Sequence, residues 1–161
     1  MCNEDHHRHQ QQQRNPVARL LAASGEGGGN LGPSDFRQQK NLVIFFFDSL
    51  ECVQCRGILK QLWQHAATYR LQDAAVLGVA PAGPEELESA AAELEPDVTL
   101  LADEDGCSTS VYQTATGASP PFLVVADRYG ALYATIEFEE GDGLDHRELE
   151  SILEFIETQC P

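Results

Sequence analysis

The chain has 161 residues, 42% of them hydrophobic, which is enough for one domain with a buried core. It carries 26 acidic and 10 basic side chains, for a formal net charge of -16. This balance argues against nucleic acid and anionic membrane surfaces as partners, because phosphate binding needs clustered Lys and Arg. No apolar run approaches the roughly 20 residues that cross a bilayer.

The first 32 residues are predicted to lie outside the folded domain. Residues 1–15 are rich in His and Gln and indicate a disordered polar tail. A short helix is predicted to begin at Asn15-Pro16, and residues 25–32 form a glycine-rich linker. The folded domain is expected to occupy residues 33–161.

The N-terminal segment does not match a secretion signal. Its one apolar patch, residues 17–23, is interrupted by Arg19 and leads directly into glycines. The chain also has five cysteines, an odd number that cannot all pair within one chain. Both features favour a reducing compartment, so we expect a cytoplasmic protein.

Beyond residue 33, apolar patterns of strand and helix type alternate. Residues 42–47 are continuously apolar, which is typical of a central strand buried on both faces, and helical spacing of the next apolar residues predicts a helix over 52–69. The remaining predicted elements are a strand at 74–79, a helix from Pro84, a strand at 97–101, a short helix at 107–113, a hairpin of strands 122–125 and 132–136, a solvated acidic loop at 137–145, and a last helix opened by a capping box at 145–148. This order predicts an α/β sandwich with a mixed sheet.

Two cysteines, Cys52 and Cys55, stand where the first predicted strand gives way to the first helix. The start of a helix offers unpaired N–H groups and the positive end of the helix dipole, and both favour thiolate over thiol. A C-x-x-C pair in this position therefore predicts thiol–disulfide exchange. The alternatives are an inert packed pair and half of a zinc site. Zinc usually needs four ligands, and the chain has no second C-x-x-C or H-x-x-x-H, so no metal is expected.

Several segments resemble the thioredoxin fold and, within it, the redoxin branch formed by the alkyl hydroperoxide reductase/thiol-specific antioxidant family. The segments that carry the resemblance are Ser34-Asp35-Phe36, residues 47–56 around the dithiol, residues 101–106, and Ser119-Pro120-Pro121-Phe122 followed by residues 127–130. The resemblance runs from about residue 34 to 136. It implies a thioredoxin-like sandwich, with a central mixed β-sheet flanked by helices.

The same resemblance implies an antioxidant thiol–disulfide oxidoreductase that needs no cofactor and exchanges electrons with a thiol or disulfide protein. Cys52, the first and usually more exposed cysteine, is the expected nucleophile, and Cys55 is the expected resolver. Members of the family place a cis-proline beside the dithiol to dock substrate. Pro121 matches that position, with Pro120 as the fallback and an ordinary strand lead-in as the alternative.

Other residues near the pair receive supporting roles. Arg56 is expected to favour the thiolate of Cys52, and Glu51 is expected to oppose it. Cys107, at a predicted helix start, is a candidate extra resolving thiol or a small half-buried hydrophobe.

Two further readings of the chain remain open. In the first, the protein is a peroxiredoxin-like thiol peroxidase with Cys52 as peroxidatic cysteine and Ser49 at the motif's hydroxyl position. However, Phe45 replaces the expected proline, and Pro121 replaces the expected arginine, which would have supplied a donor to the leaving oxygen. In the second, the fold serves as a non-catalytic interaction module.

Overall fold

A computed structural model describes residues 40–93 and 99–159 of the chain. The predicted tail, short helix and linker of residues 1–32, the domain start at residue 33 and the segment 34–36 all lie outside the described residues.

The centre of the molecule is a five-stranded mixed sheet. Its strands, in chain order, are β1 (Asn41–Phe46), β2 (Ala74–Ala80), β3 (Leu100–Ala102), β4 (Phe122–Ala126) and β5 (Leu132–Glu137). They lie side by side in the order β3-β2-β1-β4-β5. β2 runs parallel to β1 and β3 parallel to β2, whereas β4 is antiparallel to both β1 and β5. The predicted α/β class, the mixed sheet and the β4–β5 hairpin are confirmed.

Five helices accompany the sheet: α1 (Val53–Gln64), α2 (Ala66–Leu71), α3 (Pro84–Glu93), α4 (Cys107–Thr116) and α5 (His146–Gln159). The predicted capping residue of α5 is confirmed, because the Asp145 carboxylate accepts from the N–H groups of Arg147 and Glu148, each at 3.2 Å. Within the described residues, no helix combines the length and apolarity needed to span a bilayer.

The prediction of one helix over 52–69 is wrong, because the helix breaks at His65. There the backbone turns to φ -104° and ψ 7°, and the His65 N–H is shared between the carbonyls of Gln61 and Leu62. The ring of His65 stacks flat on that of His146 with centroids 3.8 Å apart. The break thus coincides with a tertiary contact to the start of α5.

The side chains of β1 alternate between two hydrophobic clusters, one on each face of the sheet. Val43 and Phe45 belong to the first cluster, which also receives buried residues from α1, α2, α3 and α5. Leu42, Ile44 and Phe46 belong to the second, which receives Tyr112 of α4. Burial on both faces explains why β1 is a continuous apolar run.

Candidate active site

The dithiol lies just beyond the carboxyl end of β1. After Phe47 the chain makes a short loop, and Cys52 becomes the N-cap of α1 with an extended backbone. Its N–H donates to the Ser49 carbonyl at 3.2 Å, which closes the loop onto the helix start. The predicted location at a strand-to-helix junction is confirmed.

Cys52 and Cys55 contact each other directly, and both are free thiols. The backbone N–H of Cys55 donates to the Cys52 sulfur at 3.1 Å, and the closest approach of the two residues is 2.6 Å. The sulfur therefore takes the capping role that a Ser or Asp oxygen usually fills, in a position where the helix dipole favours negative charge.

Burial separates the two thiols. Cys52 is half-buried, whereas Cys55 is fully enclosed at 0% exposure within the first hydrophobic cluster. This burial is the main cause that raises the pKa of Cys55 to about 12, and a hydrogen bond to the Cys52 side chain adds to it. The backbone of Asp48 and Ser49 opposes the rise by hydrogen bonding. Cys55 is thus held as a neutral thiol beside a more accessible sulfur.

Pro121 is brought to the same edge of the sheet as the dithiol. The Pro120–Pro121 peptide bond is cis, in agreement with the prediction for Pro121. The next residue, Phe122, pairs with Phe46 at the end of β1, and the Pro121 carbonyl accepts from Phe138 N–H at 3.2 Å. A substrate-docking role for this proline stays a prediction.

Arg56 makes contacts that differ from the expected support of Cys52. Its Nε donates to the Leu50 carbonyl at 2.6 Å, and a terminal nitrogen pairs with Glu93 of α3 at 3.2 Å. The guanidinium therefore braces the loop before α1 against α3. The Glu51 side chain is exposed. Ser49 contacts Cys52 through its backbone carbonyl, which accepts from Cys52 N–H.

Cys107 begins α4, where its N–H donates to the Asp105 carboxylate at 3.0 Å. α4 packs on the second cluster, across the sheet from Cys55, and Cys107 is disulfide-bonded. Its predicted role as an extra resolving thiol stays a prediction.

Two glutamines of α1 hold the loop that follows β5, and the sequence did not mark them. The Gln54 side-chain amide donates to the carbonyls of Glu139 and Asp142 at 2.5 and 3.0 Å. Gln61 accepts from Leu144 N–H at 3.0 Å. These bonds span more than 80 positions of the chain, so no local pattern could signal them.

In the described part of the chain, no group of three or more His, Cys, Asp or Glu side chains is arranged to hold a metal ion.

Comparison with protein families gives a match to the model of the AhpC/TSA family over residues 16–134. The chain belongs to the AhpC/TSA family. This confirms the redoxin resemblance inferred from residues 47–56 and 119–122. No curated protein sequence matches this family member.

Solved structures of two kinds resemble this AhpC/TSA member. A secreted Mycobacterium tuberculosis disulfide oxidoreductase homologous to E. coli DsbE is 18% identical, with a TM-score of 0.66 over 90% of this chain and 98% of that one. Peroxidoxin BcpB from Mycobacterium tuberculosis is 15% identical, with a TM-score of 0.71 over 85% and 92%. A mitochondrial 2-Cys peroxiredoxin from Plasmodium falciparum is 15% identical, with a TM-score of 0.71 over 88% and 95%. At these identities the likeness shows the thioredoxin-like fold.

Proposed function

We propose that this AhpC/TSA member is a thiol–disulfide oxidoreductase that cycles Cys52 and Cys55 between dithiol and disulfide. The observation that supports this best is the asymmetry of the pair. A half-buried sulfur accepts a helix N–H, and a buried, protonated thiol stands in contact with it. The more accessible thiol, Cys52, can attack a substrate disulfide, and the buried thiol, Cys55, can then attack the mixed disulfide that forms.

In the first step the Cys52 thiolate attacks one sulfur of a substrate disulfide. A bond forms between Cys52 and that sulfur, the substrate S–S bond breaks, and the other substrate sulfur leaves as a thiolate that takes a proton from water. The attacking sulfur lies at the start of α1, where it accepts from the N–H of Cys55.

In the second step Cys55 loses its proton to water and attacks the Cys52 sulfur. The Cys52–Cys55 disulfide forms, and the second substrate sulfur leaves as a thiolate. The pair has then given two electrons to the substrate. Once Cys52 is in a mixed disulfide its negative charge is gone, so one cause of the raised Cys55 pKa is removed at the moment Cys55 must ionise.

The cycle closes when an external thiol or dithiol, such as a thiol protein, reduces the Cys52–Cys55 disulfide and is itself oxidised by two electrons. No cofactor is required for these exchanges. A reducing compartment suits this direction of electron flow.

The test is the reaction of the reduced full-length protein with a small neutral disulfide, hydroxyethyl disulfide, followed by thiol release. A Cys52→Ser/Cys55→Ser double variant gives the thiol released by the other three cysteines of the chain. Above that background, the unmodified protein should release two thiols per chain, Cys55→Ser should release one and retain a mixed disulfide at Cys52, and Cys52→Ser should release none. Full release by Cys52→Ser would overturn the proposal. Oxidation of Cys52 by hydrogen peroxide much faster than by the disulfide would assign the thiol peroxidase instead. Failure of both reagents would leave the interaction module.

A further inference from the structure

We propose that the disulfide substrates of this site are polypeptides with Lys or Arg beside the disulfide. This inference rests on the proposed oxidoreductase function and specifies its substrate class. Exposed carboxylates and one exposed apolar side chain lie around the dithiol.

Exposed carboxylates surround the helix start that bears Cys52. We call the following set the acidic rim: Asp48, Glu51, Glu139, Glu140 and Asp142. Asp48 and Glu51 belong to the loop that leads into Cys52. The other three belong to the loop after β5, which the Gln54 side chain holds against the first turn of α1. The Asp142 carboxylate also accepts from Glu139 N–H at 2.9 Å, so that loop is closed on itself.

Arg56, the cation nearest to the dithiol in sequence, does not neutralise the charge of the acidic rim. Arg56, one residue after Cys55, is paired with Glu93 and bonded to the Leu50 carbonyl. Lys40 precedes β1, Arg70 precedes β2 and Arg128 follows the antiparallel β4, so all three lie at the opposite edge of the sheet. The topology thus separates these three cations from the dithiol by the length of the strands. Lys60 is an exposed cation on α1 itself, about 12 Å along the helix from Cys52, so the five carboxylates of the rim lie closer to the sulfur than this lysine does along the helix.

An apolar contact point completes the surface. Val53, the residue after Cys52, is 84% exposed although it lies in the first turn of α1. Val53 offers a polypeptide substrate an apolar contact beside the attacking sulfur, and the surrounding carboxylates favour substrates that carry positive charge. The rim is not itself the site. It sets the sign of the electric field at the Cys52 sulfur, which is the reacting group.

The expected effect is on association rate. Fields of one sign around a site raise the encounter rate of oppositely charged ligands by about tenfold or more at low ionic strength. Salt removes the effect, because the Debye length falls from about 30 Å at 0.01 M to below 10 Å above 0.1 M.

The test uses three symmetrical peptide disulfides that differ only in the residues flanking cysteine: Lys, Ser or Glu. Each rate of mixed-disulfide formation with the reduced protein is divided by the rate of the same disulfide with a small neutral thiol, which removes intrinsic reactivity. We expect the Lys peptide to react about tenfold faster than the Glu peptide at low salt, with the Ser peptide between them, and the ratio to fall below about twofold in roughly 0.5 M salt.

A pair of matched variants assigns the effect to the rim. Glu139→Gln with Glu140→Gln should lower the Lys-to-Glu ratio about threefold, because two charges are lost beside α1. The control, Glu148→Gln with Glu154→Gln, removes two exposed charges from α5 and should leave the ratio unchanged. α5 begins beside His65, which lies a full 12-residue helix, roughly 18 Å, from Cys52.

The outcomes separate the two proposals. Equal normalised rates for the three peptides, with complete formation of the Cys52–Cys55 disulfide, would overturn the charge selection and leave the oxidoreductase standing. An equal loss of selectivity in both variant pairs would also overturn the assignment to the rim. If none of the peptides reacted, the oxidoreductase function would fail, and this inference would fail with it.

Discussion

The N–H of Cys55 points at the sulfur of Cys52 across 3.1 Å, so the first cysteine is the cap of the helix that contains the second. This hydrogen bond gives the two cysteines different positions and different environments. It gives the Cys52 sulfur a backbone donor at the start of α1, while the Cys55 side chain lies in the core.

The buried thiol makes alkaline pH destabilising for the reduced protein. The folded pKa of Cys55, about 12, lies above its ordinary value of 9.0, so the folded state keeps a proton that the unfolded state releases. The free energy of unfolding should therefore fall as pH rises from about 9 towards 12, by at most about 1.4 kcal/mol per pH unit from this group. Below pH 9 the contribution is fully present.

Urea unfolding of reduced wild type and Cys55→Ala between about pH 8 and pH 10 measures this effect. The variant is expected to be less stable throughout, because it leaves a small cavity, yet to lose less stability over the pH range. Burial also raises the pKa of Tyr69 and Tyr112, and these groups act on both proteins alike. Parallel pH profiles for the two proteins would contradict the prediction.

The second chemical step should also depend on pH. Only the thiolate of Cys55 attacks, and its fraction rises about tenfold per pH unit below its pKa. Release of the second thiol from a preformed Cys52 mixed disulfide, followed by stopped flow, should therefore accelerate steeply from about pH 7 to pH 9. A flat profile over that range would show that ionisation of Cys55 does not limit this step.

The glutamine contacts of α1 should control the mobility of the loop after β5. Gln61→Ala removes the acceptor of Leu144 N–H, and one such bond is worth about 0.5–1.5 kcal/mol, so exchange of that amide should speed up roughly two- to tenfold. Gln64→Ala is the matched control, because Gln64 is an exposed glutamine of the same helix. Hydrogen exchange measured by NMR tests the pair, and equal rates at Leu144 in both variants would refute the contact.

Two glycines should respond oppositely to alanine. A Cβ at Gly57, in the interior of α1, would meet no atom within 4 Å, so Gly57→Ala should stabilise the protein by about 0.5–1 kcal/mol. A Cβ at Gly78 in β2 would stand 2.7 Å from a methyl carbon of buried Leu100, so Gly78→Ala should cost about 1–3 kcal/mol. Urea unfolding measures both, and a stable Gly78→Ala protein would contradict the packing described.

The sequence predicted the parts of this molecule that depend on local periodicity and on motifs. The apolar run of β1 and the helical spacing after Cys52 were enough to place the dithiol at its junction. The capping pattern that begins at Asp145 predicted the start of α5. The family resemblance matched Pro121 to the cis-proline position, and the peptide bond before Pro121 is cis.

The parts that were missed depend on contacts between distant segments. The helix break at His65 has no Gly or Pro to mark it, and its stacking partner, His146, lies far along the chain. Arg56 is close to Cys52 in sequence, yet its guanidinium forms an ion pair with Glu93 of another helix. The acidic segment predicted as a solvated loop over 137–145 is exposed at residues 139–143, but Glu137 belongs to β5 and Phe138 is buried. The hydrogen bonds from Gln54 to this loop follow only from the packing of α1 against it.

The most direct measurement is mass spectrometry of the full-length reduced protein after addition of one equivalent of hydroxyethyl disulfide. We expect the peptide in which an intramolecular disulfide joins Cys52 to Cys55 to become the dominant product, with Cys52→Ser giving none of it. A stable adduct at Cys52 in the unmodified protein, or oxidation confined to other cysteines, would contradict the Cys52–Cys55 cycle.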